Sequence, residues 1–281
     1  MTSVNDFMTK DVFVIGPNDT LARVKNLMLS KKIGRLVVLE GDKIVGIITR
    51  EDLAGAFRMS KPSSKVRSID RLLVRHFMER KVLTVEYSEG ISEAARLMLE
   101  KNIGGVPVTW DGRLAGIITT HDMTKYVSQF PRSGMVVKNF MYRDVAFTTP
   151  FHSVNHVIDL LFKTPPHRVI VLDEEGKPVG IIAPANLAFA KFSQIKKVHS
   201  MRSVQKGGAP THDKISYIAI ATAGDIMSSP VIIVHENETV QNAAAIMVAK
   251  DIGALPVLNS EGRVSGIFSK KEVLEIAAKK R

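Results

Sequence analysis

Apolar residues recur at three- and four-residue steps in four stretches of the chain: LARVKNLMLSKK from Leu21, ISEAARLMLEKN from Ile91, SVNHVIDLLFKT from Ser153 and TVQNAAAIMVAKD from Thr239. That period belongs to an amphipathic helix, so each stretch predicts a helix with one buried face. After each helix the pattern shortens. Two brief apolar runs follow, such as LVVLE from Leu36 and KIVGIIT from Lys43, joined by turn-forming residues: EGD, WDGR, EEGK and SEGR. These predict a strand pair closed by a tight turn. A second helix is expected after the pair, as in EDLAGAF and KEVLEIAAKK.

The whole pattern repeats. Four lead segments look alike, VNDFM ending at Met8, VRHFM at Met78, VKNFM at Met141 and AGDIM at Met227, each followed by a β-branched stretch. Four closing segments match them: GIIT at Gly46, GIIT at Gly116, GIIA at Gly180 and GIFS at Gly266. From lead Met to closing Gly the separations are 38, 38, 39 and 39 residues, whereas successive closing glycines lie 70, 64 and 86 residues apart. A constant unit with variable spacing is the signature of folded repeats joined by loops. Met28, Met98 and Met247 fall at matching places on the first helices and read as core packing.

With 281 residues and 45% hydrophobic content the chain can bury cores of ordinary domain size. The absence of cysteine excludes disulfides, a thiol nucleophile and a thiolate zinc site, and fits an intracellular setting. No stretch approaches the roughly 18 apolar residues of a membrane span, so a cytoplasmic protein with no membrane insertion is expected. The net charge of +11 favours anionic partners, whether nucleotides, nucleic acid or acidic protein surfaces. No GxxxxGK[ST] loop, HExxH pair or GxSxG elbow is present. The expectation is therefore a binding protein and not an enzyme, without catalytic residues, metal site or catalytic cofactor.

A β-α-β-β-α unit that closes on G-h-h-[ST]-x-x-[DE], with h an apolar residue, resembles the CBS (cystathionine-β-synthase) domain, and the resemblance covers nearly the whole chain. It implies an α/β (α+β) fold with repeats at 1–58, 71–130, 134–192 and 220–281, and a basic linker or insertion at 193–219. Repeats one and two would pair through their sheets into one module and repeats three and four into another. The two modules would form a disc with clefts between repeats. The last repeat, ALPVLNSEGRVSGIFSKKEVLEIAAKK, looks particularly like that of gamma regulatory subunits of AMP-activated protein kinase.

The resemblance also assigns residues. GIITRED supplies Thr49, Arg50 and Asp52, and GIITTHD supplies Thr119, His121 and Asp122. The aspartates would hold ribose hydroxyls, because a carboxylate only accepts hydrogen bonds, while the hydroxyl and basic residues would meet phosphates. The competing reading makes each Thr a helix cap and each Asp a first-turn charge. Asp52 would work with an adenine-facing strand at Val82, Leu83 and Thr84, and Asp122 with one at Val12, Phe13 and Val14. Ile33 and Ile103 would sandwich the purine. The later repeats depart from the pattern. Ala183 and Asn186 replace hydroxyl and acid, so no ribose site is expected there, and Pro184 starts the next helix. Ser269 is kept, Glu272 is one methylene longer than aspartate, and Lys270 and Lys271 remain for phosphate. Arg35, His167 and Arg168, just before the second strands, are further phosphate candidates or else ordinary exposed cations.

What the resemblance implies is a sensor of AMP, ADP or ATP that transmits occupancy to a protein effector or to a second copy of itself. S-adenosylmethionine or a related adenosyl ligand is the alternative within the same clefts. A scaffold binding nucleic acid through the insertion, basic at Lys196, Lys197, Arg202, Lys206 and Lys214 against Asp213, is the alternative outside them. That insertion otherwise reads as a helix running from near Ala185 to a Gly207-Gly208 linker.

Overall fold

The computed structural model describes residues 2–59, 71–130, 134–188, 198–201, 216–219 and 221–279. Repeat one contains β1 (Val14–Ile15), α1 (Leu21–Ser30), β2 (Arg35–Glu40), β3 (Lys43–Thr49) and α2 (Arg50–Met59). Repeat two contains β4 (Val85–Glu86), α3 (Ile91–Glu100), β5 (Gly105–Trp110), β6 (Arg113–Thr119) and α4 (Thr120–Gln129). Repeat three follows with β7 (Ala146–Thr148), α5 (Val154–Lys163), β8 (Val169–Leu172), β9 (Pro178–Ile182) and α6 (Pro184–Ala188). Then come β10 (Val198–Met201), β11 (Ser216–Ala219) and α7 (Ala223–Ile226), and last β12 (Val234–His235), α8 (Val240–Ala249), β13 (Ala254–Leu258), β14 (Val264–Ser269) and α9 (Lys270–Ala278).

Each repeat forms one three-stranded sheet with its second strand in the middle. In the first three the opening strand runs parallel to the middle one and the last strand antiparallel. The first helix is the crossover that a parallel pair requires. Thr20, Ser153 and Thr239 cap those helices by accepting a backbone N–H at the third helical position. Gly41, Gly112, Gly176 and Gly262 take the left-handed conformation that the hairpin turns need. Met28, Met98 and Met247 are buried among the helix and sheet side chains. Within the segment read as a linker, β10 and β11 pair antiparallel, a hairpin that its basic composition did not announce. The continuation of α6 past Ala188 and the Gly207-Gly208 linker lie outside the described residues.

The lead segments are exchanged. Repeat one's segment docks on repeat two, with Val4 N donating to Glu89 O and Thr9 bridging Ile117, and repeat two's returns the contact through Val74 N to Asp19 O and the Ile47–Glu79 bridge. Repeats three and four do the same, through Tyr142 with Ile267 and Ser228 with Ile181. At each docking point a lead Met lies over the closing Gly of the other repeat. A Cβ on Gly46 would come 2.5 Å from Met78 Sδ, on Gly116 2.6 Å from Met8 Sδ and on Gly266 3.0 Å from Met141 Sδ; on Gly180 it would overlap Met227. The closing glycine is therefore a notch for the partner's methionine. Burying such a side chain contributes roughly 1.5–3 kcal/mol.

Two compact bodies result. The first comprises residues 1–143, 232–261 and 265–281, and the second residues 144–231 and 262–264. In the first, α3 and α4 pack against α8 and α9, so repeats two and four share a continuous core that runs from Met98 and Val127 to Met247 and Phe268. Repeat one has its own cluster around Leu21, Met28, Leu36 and Ile48, closed by Val74. In the second body Val157, Leu161 and Val171 surround Ala223 and Ile226 of the exchanged segment.

Candidate ligand clefts at the closing motifs

Each closing motif ends a strand and starts a helix, so its side chains gather around unpaired helix N–H groups. Asp52 Oδ2 accepts from Thr49 N and Thr49 Oγ1, both at 2.7 Å. Asp122 Oδ2 accepts from Thr119 N at 2.9 Å and Thr119 Oγ1 at 2.7 Å, and Glu272 Oε2 from Ser269 N at 2.7 Å and Ser269 Oγ at 2.6 Å. Glu272 thus caps its helix despite the extra methylene. In all three the hydroxyl spends its single proton on the acid, which leaves backbone N–H groups and cations as donors for an anion.

The capping box engages only one oxygen of each acid. Asp52 Oδ1 has no hydrogen-bond partner among the described residues and Asp52 is half-buried, so it presents an accessible acceptor. Asp122 Oδ1 has Lys125 Nζ at 4.0 Å, and Asp122 is only 1% exposed. Glu272 is 3% exposed, and burial raises its pKa above the ordinary carboxylate value against the lowering effect of the Ser269 hydrogen bonds.

Arg35 opens β2 at the seam between repeats one and two. Its guanidinium lies against Gly104 and Gly105 at the start of β5: a Cβ on Gly104 would stand 2.7 Å from Nη2, and one on Gly105 would overlap Nη1. Burial lowers its pKa, with Arg50 adding to that, while Glu51 and Asp122 oppose it. Among the described residues it makes no hydrogen bond or salt bridge. A half-buried guanidinium with no hydrogen-bonded acceptor among the described residues offers its donors to an anion. Arg50 is differently employed, donating from Nε and Nη2 to Ile33 O at 3.2 and 2.9 Å. Two residues expected at the ligand are thereby fixed to each other.

The strands expected at adenine leave apolar area open. Phe13 is 41%, Val14 40% and Leu83 39% exposed, with Thr84 exposed and Val12, Val82, Ile33 and Ile103 half-buried. Lys31 Nζ stands 5.2 Å from the centre of the Phe13 ring. His121, in the first turn of α4, is half-buried, and its pKa falls below the usual value through burial first, then Lys270 and Lys125, against Asp122 and Asp251. Lys270 of repeat four thus lies near enough to His121 of repeat two to disfavour its protonation.

In the second body the corresponding groups are consumed. Asn186 Oδ1 accepts from Ala183 N at 2.9 Å, and Nδ2 donates to Ile226 O at 2.9 Å and Ser228 Oγ at 3.1 Å. The amide staples the exchanged segment of repeat four. His167, at φ 58°, has Nδ1 2.8 Å from Leu161 O, and Arg168 Nη1 donates to His167 O at 3.2 Å. The sequence reading missed Gly104 and Gly105 as the seat of Arg35. The signal was present in IGRLVV against IGGVPV, a large cation in one repeat and its absence in the partner.

The sequence profile of the CBS domain matches residues 4–58, 74–129, 137–191 and 223–279. The chain belongs to the CBS domain family. It is 28% identical over 281 residues to the uncharacterized protein MJ1225 of Methanocaldococcus jannaschii, covering 96% of each chain. MJ1404 of the same organism is 32% identical over 145 residues, and there the match covers 48% of this chain and 34% of the relative. The crystal structure of MJ1225, described as a proposed archaeal homolog of g-AMPK, has a TM-score of 0.76 at 26% identity and covers 98% of this chain and 99% of that one. A Pyrococcus horikoshii protein shares the fold at 20% identity, with a TM-score of 0.67. CBS domain proteins are in general regulatory ligand sensors. Among the described residues no helix is long and apolar enough to cross a membrane, and no three His, Cys, Asp or Glu gather as a metal site.

Proposed function

We propose that this CBS protein is a regulatory sensor of AMP, ADP or ATP, acts in the cytoplasm without catalysis, and passes its ligand state to a protein effector. The observation that carries the reading is Arg35: a guanidinium held between two repeats, beside Asp122 and short of a hydrogen-bonded acceptor, next to strands that expose Phe13, Val14 and Leu83. An anionic phosphate satisfies the first feature and a purine covers the second. Lys270 extends the positive field, and an added phosphate would offset its effect on His121 and draw that imidazole toward its protonated form. S-adenosylmethionine shares the adenosine but brings a sulfonium cation in place of phosphate, a poorer match to this cluster.

Calorimetric titration of nucleotide-stripped protein with AMP, ADP, ATP and S-adenosylmethionine tests the reading. Nucleotide binding that grows with phosphate charge and falls by about tenfold or more in Arg35→Ala is the expected result. Absence of binding by all four ligands, or equal binding by the variant, overturns it.

A further inference from the structure

On repeat one, beside the Gly46 notch and apart from Thr49 and Asp52, a cleft of about 310 Å³ is lined by Pro17, Asn18, Glu40, Val45, Arg75, Met78 and Arg80. It forms where repeat two's exchanged lead segment crosses the far end of repeat one's sheet. Two arginines line it. Arg80 is held in place by Nη2 donating to Arg75 O at 3.1 Å, and Arg75 N is itself tied to Pro17 O at 3.0 Å. The side chains of Arg75 and Asn18 make no hydrogen bond or ion pair among the described residues.

The repeats supply an internal control. Lys138 and Arg143 occupy the matching positions in repeat three's lead segment, and Arg143 Nη2 donates to Lys138 O at the same 3.1 Å. There the counterpart of Asn18 is Asn237, and Lys138 Nζ closes onto its Oδ1 at 3.2 Å. The same scaffold is thus bridged in one copy and left open in the other. In the other two lead segments the pair is replaced by Asn5 with Lys10 and by Gly224 with Ser229, so only this copy carries arginine at both positions.

From this we infer a second binding site, for a phosphate-class oxyanion, between Arg75, Arg80 and Asn18. Two guanidinium forks, that of Arg80 held on Arg75 O, and the Asn18 amide, all on exposed side chains, offer donors for several oxygens of one compact anion, and a cleft bounded by Met78 and Val45 limits its size. Glu40, exposed at the rim, sets an upper limit on the charge the site tolerates. The inference is independent of the nucleotide reading, since none of these residues belongs to the Arg35 seam.

Pyrophosphate is the probe, titrated calorimetrically into the full chain carrying Arg35→Ala, which weakens the other cation-lined cleft. Binding that persists there, falls about tenfold in Arg75→Gln with Arg80→Gln, and tightens a few-fold in Glu40→Gln supports the site. The rim variant removes no hydrogen bond and guards against misreading a folding defect. A pyrophosphate isotherm unchanged by the Arg75 and Arg80 substitutions, or a Glu40→Gln affinity that stays level or drops, overturns the inference. Repeating the titration with a phosphoserine peptide separates the sources: peptide binding equal to that of pyrophosphate assigns the phosphate to a protein partner, and pyrophosphate binding alone assigns it to a small molecule.

Discussion

Arg35, His121 and Glu272 each hold a proton balance that differs from water, and each difference can be measured. Arg35→Ala removes a partly desolvated cation that makes no hydrogen bond among the described residues, so the variant should melt at or above the wild-type temperature while losing nucleotide affinity. A scanning calorimetry trace with and without ATP checks both halves. For His121 the native pKa lies below the ordinary 6.5. The unfolded chain therefore binds the proton first as pH falls past about 6.5, and stability declines until the native imidazole also titrates. Lys270→Met should move the His121 titration upward, read from its ring proton shifts. Glu272 works in the opposite sense: its native pKa is raised above 4.5, so the stability it contributes is present at acid pH and is lost as pH rises through the native value. Glu272→Gln keeps an acceptor for Ser269 N and should flatten that slope in urea midpoints taken from pH 4 to pH 7. These residues were partly legible in the sequence. The closing motif announced Asp52, Asp122 and Glu272, because a capping box is a local pattern. The burial of Asp122 and the engagement of Arg50 with Ile33 were not, because both depend on what packs from outside the motif.

At the scale of the element, the helix and strand pattern was readable from periodicity, since each repeat buries one face of its first helix and the middle strand of its sheet. The opening strands are only two or three residues long, shorter than the β-branched runs VFVI and VLTV suggest. Those runs leave the sheet at the cleft, where Phe13 and Leu83 face solvent. Nor did periodicity show which lead segment meets which closing glycine, because spacing within a repeat carries no record of exchange between repeats. The exchange makes a sharp prediction. Gly116→Ala sets a methyl 2.6 Å from Met8 Sδ and 2.9 Å from Thr9 O, and the backbone oxygen cannot step aside. A loss of about 1–3 kcal/mol is expected in chemical denaturation. Gly55 within α2 is the control: a Cβ there meets nothing within 4 Å, so Gly55→Ala should gain roughly 0.5–1 kcal/mol from helix propensity.

Across the whole molecule, stability follows the two bodies and not the order of repeats along the chain. Repeats two and four share one core, so amides of α3, α4, α8 and α9 should exchange slowest, while α6 in the second body, stapled to the chain through Asn186, should open earlier. Hydrogen exchange read by mass spectrometry distinguishes this from opening in sequence order. The methionine in its borrowed glycine notch has a further consequence for a chain cut short. A fragment ending after repeat one carries a Met8 with no Gly116 to cover and a Gly46 with no Met78 above it. Its plug and its socket match, but the lead segment that carries Met8 reaches out to a second repeat's closing glycine and not to Gly46. Two such fragments can complete one another where one cannot complete itself, so the severed repeat should be found as a mutually threaded pair whose folding midpoint rises with concentration.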